Sequence, residues 1–503
     1  LWTKTFDGQG HTITFEDGNL RRPVFGNVFG GVVKGLTIKG KMSSFDSPYI
    51  QGACPIVGIL HGGLIQNCIS DVDVSADNLD VDIVLAGVCR TMQDGKIENC
   101  TNKGNLTYSV ASISTQRRVY AGGIVGLVGK NDSVYGLGTD ATPADYQNPF
   151  SGETTIYNCT NEGNISLVNN SETANKWLRY CSIGGVAAWV WGGVDGKCLT
   201  IDECHNKGDL KVESVKLPAA TSGVIGVGGI IGRAAPTDRE GSVIGPVIGS
   251  MAQAYWTASG KWSSDSKVNA CLDGFYLVVK NSDNAGKISA SHRLSGASGL
   301  FYHKIGCGGI SGILFGNEKM AEITGCINSG LVVGGDIAHI EKIKSEAGRA
   351  NITGGIVGYG GRIVFSQCHQ MAESLGEGGL NMAIGGIIGG AYQKFIIENC
   401  SVNTKLVHNT AVDLKGMGSF IANYINGMNR ESLSVYDGSL INNTQLSGSF
   451  SYSLDTSASF EEIPESPAEQ PFCVLSKSDL ISAKSSDGIL TKGYLTVENI
   501  TKQ

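Results

Sequence analysis

Hydrolysis of a glycosidic bond needs two carboxylates facing one another across the substrate, about 5–9 Å apart. The chain offers Asp71-Val72-Asp73 and Asp80-Val81-Asp82, where alternation puts two acids on one side of an extended segment. Such pairs also suit calcium when other oxygen ligands join them, the plainer reading being a solvated turn. Arg117-Arg118 and Arg179 supply the cations a lyase would use, but no carboxylate cluster is tied to them. Cys204-His205 and Cys368-His369 are adjacent pairs without zinc-finger spacing. The glycine-rich segments contain no Gly-x-x-x-x-Gly-Lys-Ser/Thr phosphate loop. No metal and no cofactor are expected. The aromatic residues are more suggestive: Trp177, Trp189, Trp191, Trp256 and Trp262 fall within one stretch. They are the candidate ligand-binding residues, able to stack on sugar rings or anchor a protein partner. The alternative is that the insertion carrying Trp256 and Trp262 covers Trp189 and Trp191 as a satellite core.

The elements that must position these residues come from a repeat. Aligned against itself, the chain restates Lys96-Ile97-Glu98-Asn99-Cys100-Thr101-Asn102-Lys103-Gly104-Asn105-Leu106. The central position falls at Leu36, Cys68, Cys100, Cys159, Cys204, Cys271, Cys326, Cys368, Cys400 and Asn443. Three residues earlier stand Val33, Ile65, Ile97, Ile156, Ile201, Val268, Ile323, Phe365, Ile397 and Leu440, all apolar. Two earlier stand Gln66, Glu98, Tyr157, Asp202, Asn269, Thr324 and Glu398, so carboxylates there never occupy neighbouring repeats. Asn102, Asn161, Asn206 and Asn328 precede a glycine by two residues, which reads as turn chemistry.

A second motif, Gly122-Gly123-Ile124-Val125-Gly126, recurs at Gly228, Gly308, Gly354 and Gly385. Its alternation reads as a strand with Ile124, Gly126 and Val128 facing in, and hence Trp189 and Trp191 facing out. Each repeat then contains about three short strands, and stacking them at about 4.8 Å gives a parallel β-helix. About ten coils make a rod on the order of 50 Å long. Along one outer column Lys39, Asp71, Lys103, Glu162 and Lys207 alternate in sign, as a ladder of cross-coil ion pairs would. Insertions at 130–155, 233–267 and 278–306 interrupt the rod, and residues 451–503 read as a linker with a β cap or small module.

Composition agrees with this and removes other classes. Gly, at 71 of 503 residues, has about twice its usual share, without the Gly-X-Y period of collagen. A hydrophobic content of 41% argues against disorder. A net charge of −7 gives no basic surface for nucleic acid. No run of about 18 apolar residues exists to form a transmembrane helix. The 14 cysteines follow the repeat and are expected as reduced, buried thiols. The opening Leu-Trp-Thr, with neither Met nor signal peptide, suggests a mature or trimmed chain.

Phe6-Asp7-Gly8-Gln9-Gly10-His11-Thr12-Ile13, together with recurring Gly-Gly-Ile-Val-Gly and Asn-Cys-Thr-Asn-x-Gly, resembles the GLUG-motif proteins over roughly residues 5–450. The resemblance implies a bacterial surface or secreted protein with a right-handed parallel β-helix, of a kind described as adhesins. Arg90, where other repeats have Gly or Ala, and the missing Gly of the Cys368 repeat depart from the pattern. The expectation is an all-β chain: a right-handed β-helix over 1–450 acting outside the cell as a non-enzymatic scaffold. Its partners would be host or dietary glycans or a surface protein, and the alternative is a polysaccharide lyase or glycoside hydrolase on the same fold.

Overall fold

One coil shows how the rod is built. In the computed structural model a strand Arg117–Gly122 (sheet 1) turns at Gly123 and Ile124 into Val125–Val128 (sheet 2). Thr154–Tyr157 continues sheet 2, and a corner at Asn158 and Cys159 leads into Thr160–Asn161 and Ile165–Asn169 (sheet 3). Leu178–Gly184 then starts the next coil in sheet 1, directly over Arg117–Gly122. The structure describes residues 2–16, 20–43, 52–77, 79, 83–111, 117–129, 154–170, 178–191, 198–217, 223–235, 276–294, 303–316, 320–334, 350–377, 383–407, 416–418, 420–423, 437–441, 443–445, 474–475, 495–498 and 501–502. Among these there is no helix, and the strands stack as a parallel β-helix.

Register is strict because each coil buries the same positions. Ile65, Ile97, Ile156, Ile201, Val279, Ile323, Phe365, Ile397 and Leu440 pair in sequence through sheet 2. A one-residue slip would turn this whole column from the core to the outside. Leu495–Glu498 and Thr501–Lys502 pair in parallel with Asp437–Ile441 and Thr444–Gln445. Val474–Leu475 runs antiparallel on Gly416 and Met417.

Several details differ from the sequence reading. The rung assigned to Cys271 is centred on Ser282, whose neighbours Val279, Asn284, Gly286 and Ile288 restore the pattern. Serine has the shape of cysteine, and its buried hydroxyl donates to Lys280 O at 2.8 Å and accepts from Cys204 N at 3.1 Å. Residues 276–294 are therefore rung, not insertion. The second correction is that Gly122-Gly123-Ile124 is a corner and not mid-strand. Ile124, Val125 and Val128 join the core, whereas Gly126 lies outside it, where a Cβ would meet Val84 Cγ1 at 2.3 Å.

Asn102, Asn161, Asn206, Asn284 and Asn328 are fully buried. They form an internal amide ladder and not an exposed turn. Each Nδ2 donates to the carbonyl of the glycine two residues on and to the amide oxygen one coil ahead, at 2.7–3.0 Å. Gln370 ends the ladder, its side-chain amide 2.9 Å from that of Asn328. Inside a low-dielectric core such a ladder fixes coil register, because a displaced amide would be left without a partner.

The residue before the central Cys, or before Ser282, is in the left-handed region: Asn67, Asn99, Asn158, Asn281 and Asn399 have φ between 47° and 54°. Asparagine tolerates this conformation better than most residues, which explains the repeated Asn-Cys. The cysteines beneath are free and buried. Their thiols donate weakly to the carbonyl two residues back, and burial pushes Cys307, on sheet 1, up to about 12.

Outside, Asp73, Asn105, Asn164 and Asp209 each accept a backbone N–H from the next coil at 2.9–3.0 Å. Asp73 thus lies on a strand, Ile69–Asp77, and not in a turn, and Asp71 pairs with Lys39 at 3.3 Å. Lys207 pairs with Glu162 at 3.3 Å, but Ala285 ends the charge column one coil later. These half-exposed pairs contribute about 0.2–1 kcal/mol each. Asp80 and Asp82 lie outside the described residues.

Candidate functional site

Beside the core runs a second buried seam, where the outer side of sheet 1 meets sheet 2. Val84, Tyr120 and Ser182 alternate with core residues of sheet 1 and so point away from the core, yet all are buried. Facing them from sheet 2 is the in-register column Ile59, Thr91, Leu127, Trp189, Arg233, Ile313 and Tyr359. Every member is at most 7% exposed. The close approach is visible at Gly232, where a Cβ would fall 2.5 Å from Ser182 Oγ.

Trp189 belongs to this seam. It points away from the core, as the sequence reading has it, but is only 4% exposed. Tyr120 packs against it with ring centroids 5.0 Å apart, and the Arg233 guanidinium lies 4.2 Å from its ring centroid. In this state its ring faces protein. Trp191 ends the same strand, and its side chain is not among those described. Trp177, Trp256 and Trp262 lie outside the described residues, so the structure does not bring the five tryptophans together.

A partly exposed arrangement forms instead on the outer face of sheet 2. Gln66, Glu98, Tyr157, Asp202 and Lys280 succeed one another in register, one per coil. Glu98 accepts from Gln66 Nε2 at 2.5 Å and pairs with Lys96 on its own strand. Asp202 pairs with Lys280 at 3.1 Å and accepts from Asn281 Nδ2 at 3.0 Å. Tyr157, an aromatic in a column otherwise polar over these coils, stands between the two carboxylates with Lys96 Nζ 6.0 Å from its ring centroid. The Glu203 carboxylate beside it, with the charges of Asp202 and Glu98, pushes the phenol above its usual range.

Glu203 is the unusual residue here. It occupies the left-handed corner position with φ 53°, where four of the five coils just named carry asparagine. Left-handed backbone costs an ordinary side chain about 1–2 kcal/mol. Glu203 keeps this conformation with its carboxylate beside Tyr157. Glu203→Asn is expected to raise stability by about 0.5–1 kcal/mol, read as a higher urea midpoint. An unchanged or lower midpoint would show that the corner is not strained.

The sequence reading had this column in view and passed over it, because it sought adjacent carboxylates. Glu98 and Asp202 are two coils apart, about 9–10 Å between backbones, with an aromatic ring in the gap. Among the described residues no group of three or more His, Cys, Asp or Glu side chains could hold a metal ion.

Comparison with known proteins returns one family model, described as the GLUG motif, matching residues 381–406. Those residues cover the Gly385 corner, the strand Ile388–Glu398 and the Cys400 rung. No curated protein and no solved structure matches the chain.

Proposed function

We propose that this chain, a β-helix carrying the GLUG motif, is a non-enzymatic binding scaffold that works outside the cell. It presents the outer face of sheet 2 around Tyr157 to a glycan or to a glycosylated surface. The observation that carries the reading is Tyr157 itself, a partly buried ring on the outer face, flanked in register by Glu98 and Asp202. A sugar ring can lie on such a face while its hydroxyls reach carboxylate acceptors and lysine donors on both sides. A pyranose is about as long as one coil is high, so a linear glycan running along the rod would meet successive coils in step. Lys96 and Lys280 pair with the two carboxylates and fix their orientation, so both are already engaged as partners on this face.

The alternative remains a hydrolase. Glu98 and Asp202 stand near the wide limit for an inverting pair, about 6.5–9.5 Å. A glycan array probed with the wild type and Tyr157→Ala separates the readings. Binding that falls at least tenfold in the variant supports the scaffold, and equal binding by both removes Tyr157 as the site. Release of reducing ends by the wild type, lost in Glu98→Gln/Asp202→Asn, would establish the enzyme instead.

A further inference from the structure

Arg233 occupies a column whose neighbours one coil either side are Trp189 and Ile313, and it is 1% exposed. Nothing in the repeat requires a cation there. A guanidinium stays protonated at any relevant pH, so burial cannot neutralise it. Its ring contacts, 4.2 Å to Trp189 and 5.7 Å to Tyr120, stabilise the charge from its faces. They do nothing for the N–H groups in its plane. Among the described residues, Nε and Nη1 have no acceptor.

The fork has two bidentate edges, Nε with Nη2 and Nη1 with Nη2, and so neither edge is completed by the described residues. The titratable neighbour from sheet 1 is Cys181, whose thiol burial pushes up and keeps neutral. An uncompensated charge in the interior is among the costliest features a protein can carry. The described surroundings supply aromatic faces and near-complete burial, without a counter-charge.

We propose that Arg233 holds a small monovalent inorganic anion of halide size, buried in the seam between sheets 1 and 2. The near-complete burial of Arg233 limits the occupant to a small ion. Its chemistry follows from the donors: a charge-assisted acceptor for N–H groups, bounded by aromatic rings. An ion bound to the folded state alone stabilises it in proportion to the logarithm of its concentration, up to the point where unfolding is governed elsewhere.

The test uses the full chain. Thermal unfolding is followed at constant ionic strength while chloride or bromide replaces fluoride. The wild type is expected to gain a few degrees, rising with the logarithm of the chloride or bromide concentration. Arg233→Met, which fills the column with an apolar chain of similar length, is expected to show a flat response from a midpoint no lower than the fluoride value of the wild type. The same response in both proteins, or none in the wild type, would overturn the proposal. If Arg233→Met does not fold, wild-type crystals soaked in bromide decide it. An anomalous peak within hydrogen-bonding distance of the Arg233 fork supports the site, and water alone there refutes it.

Discussion

Asn206→Ala is expected to destabilise the rod by about 3–5 kcal/mol, the sum of several buried groups left without partners at about 1–3 kcal/mol each. Asn206 donates to Gly208 O at 2.9 Å and Asn284 Oδ1 at 2.7 Å, and accepts from Asn161 Nδ2 at 2.8 Å. Alanine strands all three partners in a fully buried column. A leucine there would not help, because the partners, and not the volume, carry the cost. The measurement is urea unfolding of the full chain. A loss below about 1 kcal/mol, the usual scale of one exposed hydrogen bond, would mean that water or relaxation satisfies the stranded amides. In that case the ladder would not be what holds the coils in register.

Gly185→Ala is expected to cost at least about 3 kcal/mol, at the upper end of overpacking penalties. A Cβ on Gly185 would lie 2.2 Å from Gly229 O and 2.4 Å from Asn206 Cγ. The second glycine of the corner thus rests directly on the amide ladder, and the same relation recurs at Gly123 with Asn161 and at Gly309 with Asn328. The two motifs of each repeat are therefore one contact seen from both sides. The double variant Gly185→Ala/Asn206→Ala should cost less than the sum of the singles, because removing the amide makes room for the methyl group. Coupling of about 1 kcal/mol or more is expected for residues in such contact. Strict additivity would show that the clash with Gly229 O alone sets the penalty.

Both arguments bear on how a repeat protein keeps its coils aligned. An apolar column alone tolerates sliding, since one isoleucine packs on another in several ways. Amide ladders do not tolerate it, because each bond has one partner at one height. On this rod the register is held from inside by Asn102 to Gln370 and from outside by Asp73, Asn105, Asn164 and Asp209. The ion pairs contribute little by comparison. That rigidity is what allows an outer face to present Gln66, Glu98, Tyr157, Asp202 and Lys280 at a fixed spacing.

Much of this was legible in the linear chain. Periodicity of apolar residues and cysteines identified stacked coils, because burial of the same positions in every coil leaves a repeat that alignment detects. The register failed at Cys271, since the alignment followed cysteine as a letter while the fold uses Ser282 for the same shape and burial. The inward direction of the asparagines was missed because Asn before Gly reads locally as a turn, and only neighbouring coils offer the amide partners that make burial tolerable.

The sequence by itself determined the parallel β-helix, the position of most rungs and the column in which Tyr157 lies. Only the tertiary structure decided which faces are open. Trp189 leaves the core and is still covered, because the outer side of sheet 1 folds against sheet 2 and closes a second seam over it. Alternation along a strand tells which side a residue takes. Whether that side meets water depends on what the rest of the chain brings against it.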